Sequence, residues 1–534
     1  MSVQEVLGRP RATLLETVAG TDHKSLGLAV TATSLAFFAL GGLLALVMRA
    51  ELAHPGLQVV DADAYNQLFT IHGSTMLFLF APTVVFGLAL YMVPLQLGAA
   101  GVMWPRLASV AYWLYLGGGL IMWSGFLVEN GAAKAGWHAF YPLTDANQNP
   151  WMGMDFWIVG VVLSQAAVLA WAVCLLATIV RRRAPGMTLW RMSFFTWSMV
   201  ATIFMVVTTF PVLLAAMALL FVDRHGITIF GLPGGAVTWQ YLFWFYAHPL
   251  VYVIFFPVMA VVAETIATFS RRRQFGYRTS VVAVLTFAAL SSSVWGHHMF
   301  TQQDVDNRYF SFTTTSIAVP AGIEYFSFIA TMWGGRIRLR APMLFALGFA
   351  VLFLIGGLSG IFVASPPIDY DVHDTYVVVA HFHYTVFGGT VWGLMTALYL
   401  WFPKVTGRML DEGLARWHAG LMFVGSLATF FPWFFLGMLG MRREIADYGG
   451  WHAGWTTWNM VSTAGSAVLF VSLVVFAVNV VRSLRRGAPA GPDPWDGQTL
   501  EWATSSPPPP HNFEALAPVR SHAPLLDLRE AQPA

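Results

Sequence analysis

Long apolar runs separated by short polar connections dominate this chain. A helix that crosses a bilayer needs about 20 mostly apolar residues, and such runs recur twelve times. They predict spans over 25–48, 67–97, 107–128, 156–180, 195–222, 240–268, 279–300, 311–334, 342–364, 376–402, 417–440 and 457–482. The expected fold is an all-α membrane protein, a bundle of about twelve transmembrane helices. The connections alternate in character. Arg181, Arg182, Arg183 and Arg191 share one, Arg271, Arg272, Arg273 and Arg278 lie two connections on, and Arg336, Arg338 and Arg340 two further. Lys404, Arg408 and Arg416 continue the alternation, so the positive-inside rule places these loops and both termini in the cytoplasm. The predicted organisation is an N-terminal cytoplasmic segment 1–24, a helical core 25–482 and a Pro-rich cytoplasmic tail 483–534 in which Pro507 to Pro510 are consecutive. The first twenty residues lack the basic start and short apolar stretch of a cleavable signal, so the N-terminus is expected to stay as made.

Composition agrees with a bilayer. Of 534 residues 57% are hydrophobic and only 10% charged, too apolar for a water-soluble surface. A net charge of +2 gives no reason to expect nucleic acid. Cys174 is the single cysteine, so neither an internal disulfide nor a thiolate copper or iron–sulfur centre can be built from this chain alone. Any such centre belongs to a partner.

Twelve spans by themselves suggest a transporter. The histidines point elsewhere. Of fifteen, six fall inside spans: His72 on the second, His248 on the sixth, His297 and His298 on the seventh, His381 and His383 on the tenth. Counted along the helices at about 1.5 Å per residue, all six lie in the outer part of the membrane. A buried imidazole in lipid is costly unless paired or ligating, and six at one level are not explained as separate packing contacts. The rings of His381 and His383 are about 200° apart around a helix, so they face two different cofactors. Neutral imidazole suits haem iron. His297 and His298 can converge with His248 on one ion, leaving a position open for a small molecule, and copper suits such nitrogen ligands. Tyr252 follows His248 by four residues on the same helix face and brings a phenol that can supply an electron and a proton.

These residues, in this order, resemble subunit I of cytochrome c oxidase in the haem–copper oxidase superfamily. The resemblance spans nearly the whole chain, from Thr21-Asp22-His23-Lys24 through His72-Gly73, Trp104-Pro105-Arg106, His248-Pro249-Leu250-Val251-Tyr252, His297-His298-Met299-Phe300-Thr301 and His373-Asp374-Thr375-Tyr376 to Glu501-Trp502. It implies a terminal respiratory oxidase of the bacterial plasma membrane that reduces O2 to water. The resemblance makes His72 and His383 the axial ligands of a low-spin haem and His381 that of a high-spin haem, both expected to be haem A. It gives copper B to His248, His297 and His298, and matches Tyr252 to a tyrosine joined covalently to the first copper histidine. His373 and Asp374 match ligands of a magnesium or manganese ion completed by a partner, and Arg442 and Arg443 a pair that binds haem propionates. The partners implied are a subunit II with a dicopper centre, further subunits such as subunit III, and cytochrome c as electron donor.

The chain departs from the family pattern along the proton routes. Gly101 stands where relatives carry an aspartate, and Leu90, Ala108 and Ser109 replace family asparagines. Leu250 replaces a buried glutamate, and Tyr246-Ala247 keeps half of a Tyr-Ser compensation. Glu324 replaces a channel lysine; with Thr315 and Tyr246 it makes up the candidate proton path, while Thr313, Thr314 and Ser316 lie on the same helix. The loop at Arg442 lacks the usual preceding proline and gains a residue after the pair. Whether protons are pumped is left open by these changes. A quinol oxidase is the nearest alternative, opposed by Leu40, Leu44 and Ala64 although Gln67 is retained; a nitric oxide reductase is opposed by Tyr252 and Leu250.

Overall fold

The computed structural model describes residues 20–150, 152–450 and 452–531; the segment before residue 20, where a signal sequence was looked for, lies outside them. The described chain is helical throughout, with two isolated bridges, Thr375 to Arg442 and Arg408 to Pro489, as its only extended pairings. Eleven helices among the described residues are long and apolar enough to cross a membrane. They are α1 (His23–Glu51), α2 (Ala62–Leu97), α3 (Pro105–Leu127), α4 (Met152–Arg181), α5 (Phe194–Arg224), α6 (Gly235–Ser270), α7 (Tyr277–Met299), α9 (Ala341–Val363), α10 (Tyr376–Thr406), α11 (Glu412–Met438) and α12 (Ala453–Arg486).

The twelfth crossing, α8 (307–332), is broken rather than continuous: Asn307–Ser316 is followed by Ala318–Met332. Pro320 has no N–H to offer the carbonyl of Ser316, and the chain tightens at the break, with the Ile317 amide on the Thr314 carbonyl at 3.1 Å. α2 and α10 each contain a wide π turn, Thr75–Phe80 and Val386–Val391, within three residues after His72 and His383 respectively. Such turns are enriched at functional sites.

Helix ends follow local chemistry. Asp22, Asp61, Ser193 and Asp411 cap α1, α2, α5 and α11 by accepting amides of the first turn. Gly98 and Gly407 end α2 and α10 at φ +68° and +69°, where a side chain would be strained. Every residue of α2 from Ala81 to Leu97 is buried, and α6 is nearly as enclosed, so these two form the centre. α9 and α12 are the least enclosed of the spans and lie toward the rim.

The tail lies across one end of the bundle. Lys404 of α10 donates to the carbonyls of Pro492 and Thr504 at 2.7 Å each. Glu501 is buried, accepting from Gln96 and Trp401, and burial raises its carboxyl above the ordinary range. Asn512 meets His23 at the start of α1, and Lys24 donates to Pro510 at 3.0 Å. The start of α1 and the tail therefore share one end.

α10 is held at its other end by α11. A Cβ on Gly437 would overlap the backbone nitrogen of Val377, and backbone cannot give way as a side-chain tip can. Gly437→Ala is expected to lower stability by about 1–3 kcal/mol. Gly357→Ala, where the added carbon meets nothing within 4 Å, should melt like the parent; thermal melts in detergent compare the two.

Candidate functional site

His248 sits inside α6 with Pro249 immediately after it. His297 and His298 are placed differently from the regular helix expected. The regular α-helical part of α7 stops at Ser291, and the hydroxyls of Ser291, Ser292 and Ser293 bond back to Phe287, Ala288 and Leu290, the local competition that weakens a helix. A tight turn, Trp295–Met299, then carries both rings. Gly296 is required within it, because a Cβ there would overlap the ring of Phe310.

The three imidazoles converge. The Nδ1 of His248 is 3.1 Å from the Nε2 of His298, which is 3.0 Å from the Nε2 of His297, and the three potential ligand atoms lie within 4.8 Å of one another. Two nitrogens each about 2.0 Å from a single ion stand roughly 3 Å apart at ordinary coordination angles. The donor set therefore fits a metal that prefers imidazole, such as copper. Trp244 stacks flat on His298 at 3.8 Å. The Nδ1 of His297 is 2.8 Å from the hydroxyl of Thr314, which itself donates to Phe310. The ring of Tyr252 lies 4.8 Å from that of His248.

His381, His383 and His72 share a different device. The Nδ1 of His381 meets the Gly356 carbonyl at 3.1 Å, that of His383 the Val379 carbonyl at 2.9 Å, and that of His72 the Gly41 carbonyl at 2.8 Å. A carbonyl can only accept, so each Nδ1 carries the proton and each Nε2 keeps its lone pair for a ligand bond. His383 lies within Coulombic reach of His72, whereas His381 lies within reach of His248, His297 and His298. The two histidines of α10 thus serve two separate places. Gly360 leaves room beside His381, whose Cε1 would be 3.0 Å from an added Cβ.

Above α10 the segments expected to hold a second metal and acidic groups are zipped together. Tyr376 donates its amide to Met441 and Arg443 to Asp374. The Arg443 guanidinium pairs with Asp374 at 2.5 Å, His373 with Asp369 at 2.8 Å, and Arg442 donates to the His373 carbonyl. Glu444 accepts from His138 at 3.2 Å. Burial opposes its charge, yet His138 and Arg443 hold its carboxyl down at about 2.

The proton-path residues divide. Glu324 is buried, and neither carboxyl oxygen has a hydrogen-bond partner among the described residues. Tyr246 is buried and donates to Gln165 of α4 at 2.9 Å. Thr315 is exposed, so it does not face the imidazoles. Its neighbour Thr314 does, because one residue is about 100° of helix. Sequence reasoning grouped these hydroxyls without resolving their phase. It also passed over Arg49, which hydropathy places at the edge of the first span. The side chain is buried, donates through Nη2 to Asn459 at 2.9 Å, and leaves Nε and Nη1 without a close partner among the described residues, with the Tyr376 hydroxyl beside it. It lies over Trp433 and within Coulombic reach of His383.

A membrane bundle in which three imidazoles converge closely enough to hold a metal ion, with His381 beside them and His72 and His383 near one another, is the arrangement expected of a haem–copper protein. Comparison with known proteins agrees. Residues 25–468 match the family model described as cytochrome c and quinol oxidase polypeptide I, and the chain belongs to that family of membrane oxidoreductases, which use O2. It is 47% identical over 519 residues to the probable cytochrome c oxidase subunit 1-beta of Nocardia farcinica, covering 96% of this chain and 88% of that one. It is 46% identical to the cytochrome c oxidase subunit 1 of Corynebacterium efficiens, covering 95% and 88%. In fold it is similar to a chain of a haem–copper terminal oxidase dimer solved by cryo-electron microscopy, with a TM-score of 0.75 at 17% identity, covering 88% and 84%.

The hydroxyl of Thr314 meets the Nδ1 of His297 at 2.8 Å and so fixes the ring whose Nε2 would be offered to a metal. Thr314→Val is expected to weaken copper retention about 10–100-fold while leaving the His72 and His383 surroundings intact. Copper-to-iron ratios by mass spectrometry, beside the low-spin absorbance, check this.

Proposed function

We propose that this chain is the O2-reducing subunit of a bacterial cytochrome c oxidase, with both termini in the cytoplasm. The observation that carries the reading is the convergence of His248, His297 and His298 beside Tyr252 and His381. His248, His297 and His298 hold copper B, His381 the high-spin haem, and His72 and His383 the low-spin haem. When bound, these groups supply the electron relay and the four-electron cleavage of O2. The protein keeps each imidazole neutral and aimed. Tyr252, whose ring lies 4.8 Å from that of His248, would supply a proton and an electron. Haem A is the variant proposed, since the unpaired donors of Arg49 offer a hydrogen bond to a polar haem substituent. Arg442 and Arg443 would bind the haem propionates, and His373 and Asp374 would offer ligands for magnesium or manganese to be completed by a copper-bearing subunit II, with subunit III as a further neighbour.

Cytochrome c is favoured over quinol as donor. Gln67, the residue retained from the quinol pattern, is engaged within the fold, donating to Asp63 and accepting from Ala132 at 2.9 Å each. Purified enzyme should show haem bands in reduced-minus-oxidised spectra. It should also turn over O2 with reduced cytochrome c at least about ten times faster than with quinol. The reverse preference would favour the quinol reading.

Protons reach the site by way of Glu324. Its carboxyl is buried on α8 with Ser280 of α7 beside it, and Thr314 on the same helix leads to His297. The alternative route is obstructed where Leu250 is buried and Gly101 supplies no acid, so proton pumping is expected to be reduced. Glu324→Gln should cut O2 turnover at least about tenfold with haem and copper content unchanged, measured with an oxygen electrode. Full turnover would remove Glu324 from the path.

A further inference from the structure

At the end of the bundle that carries the tail, a cavity of about 630 Å³ is walled by the end of α6, the connection after α8 and the tail. Four guanidiniums line it, those of Arg271, Arg336, Arg338 and Arg529, against the single carboxylate of Asp496. That carboxylate is shared, 2.5 Å from Arg271 and 3.5 Å from Arg338, and Arg529 donates to the Asp496 carbonyl at 2.7 Å. Arg529 is also paired with Asp493 at 3.4 Å, so the cavity keeps an excess of two positive charges. Among the described residues, Arg336 is exposed and makes no ion pair, and the Nε of Arg271 is buried with no hydrogen-bond partner. Arg271 also holds a left-handed backbone at φ +58°, a helix-ending position where glycine would be unstrained.

The walls are fixed before any ligand arrives. Arg336 and Arg338 donate their amides to Ser270 and Phe269 at the end of α6. Gln498 donates to the Arg272 carbonyl, and Arg273 pairs with Asp527 and Glu530 at 2.6 Å each, clamping the tail helix Pro524–Glu530. Clustered guanidiniums at fixed positions are suited to phosphate oxygens, which they bind two at a time. Basic pockets at the ends of membrane helices are also placed to meet lipid headgroups.

We propose that this cavity is a binding site for a phosphate-bearing anion, either a free di- or triphosphate or the headgroup of an anionic phospholipid. The test uses the whole oxidase complex in two arms. In phosphatidylcholine nanodiscs, ADP is titrated and binding followed calorimetrically; in parallel, phosphatidylglycerol retained by the detergent-purified complex is counted by native mass spectrometry. The expected result is that at least one probe binds and that R336Q/R338Q weakens it about tenfold or more. R340Q, which removes a charge from the same connection outside the cavity, should leave binding unchanged. ADP alone would identify a soluble phosphate ligand and phosphatidylglycerol alone a lipid. Haem spectra and turnover in phosphatidylcholine should match the parent in all variants, excluding misfolding as the cause. The proposal is overturned if neither probe binds the parent complex, or if R340Q and R336Q/R338Q lose binding equally.

Discussion

An imidazole buried among membrane helices has no water with which to complete its hydrogen bonds, and this constraint organises the structure. Four of the six histidines are answered by a partner at Nδ1: His72 leans on α1 through Gly41, His381 on α9 through Gly356, His383 on Val379 of its own helix and His297 on α8 through Thr314. His248 and His298 instead bring one ring nitrogen each to 3.1 Å, the spacing of two ligand atoms. These bonds tie the central helices α2, α6, α7 and α10 to those around them. Satisfying the polar rings and assembling the bundle are the same event.

Ligands and proton carriers face opposite demands. A metal ligand must hold one nitrogen still, which a hydrogen bond at the other ring nitrogen achieves. A proton carrier must exchange partners, and a carboxyl already locked into several strong bonds would do so slowly. Glu324, whose two oxygens have no fixed partner, has the second character. Glu444, held ionised between His138 and Arg443, has neither ligand nor carrier geometry and serves to brace the loop above α10. The same residue type thus takes different roles because its surroundings differ.

The opposite end obeys charge rather than polarity matching. Arginines concentrated in the connections there are partly neutralised by acids of the tail, Asp496, Asp527 and Glu530. Lys404 is tied to tail carbonyls instead. Neutralisation is incomplete around Asp496, which leaves a positively charged cavity at the end of the bundle that carries the tail.

The helical crossings were legible in the chain because apolar length is a local property. The histidine pairs were legible too, since helical phase alone separates His381 from His383. Family likeness named the ligands, but three features required the tertiary structure. The break in α8 follows from Pro320, but that Thr314 rather than Thr315 meets His297 is set by how the segment before the break packs against the end of α7. Arg49 reads as an ordinary charge at a span edge until α12 folds over it and Asn459 takes one of its donors. The arginine cavity joins residues more than 250 positions apart, Arg271 to Arg529, and exists only because the tail returns to the bundle. What the sequence determined by itself was the local part, which residues lie in lipid and on which helical face. What only the folded structure decided was which of those faces meet, because contacts between distant segments are set by packing and not by spacing.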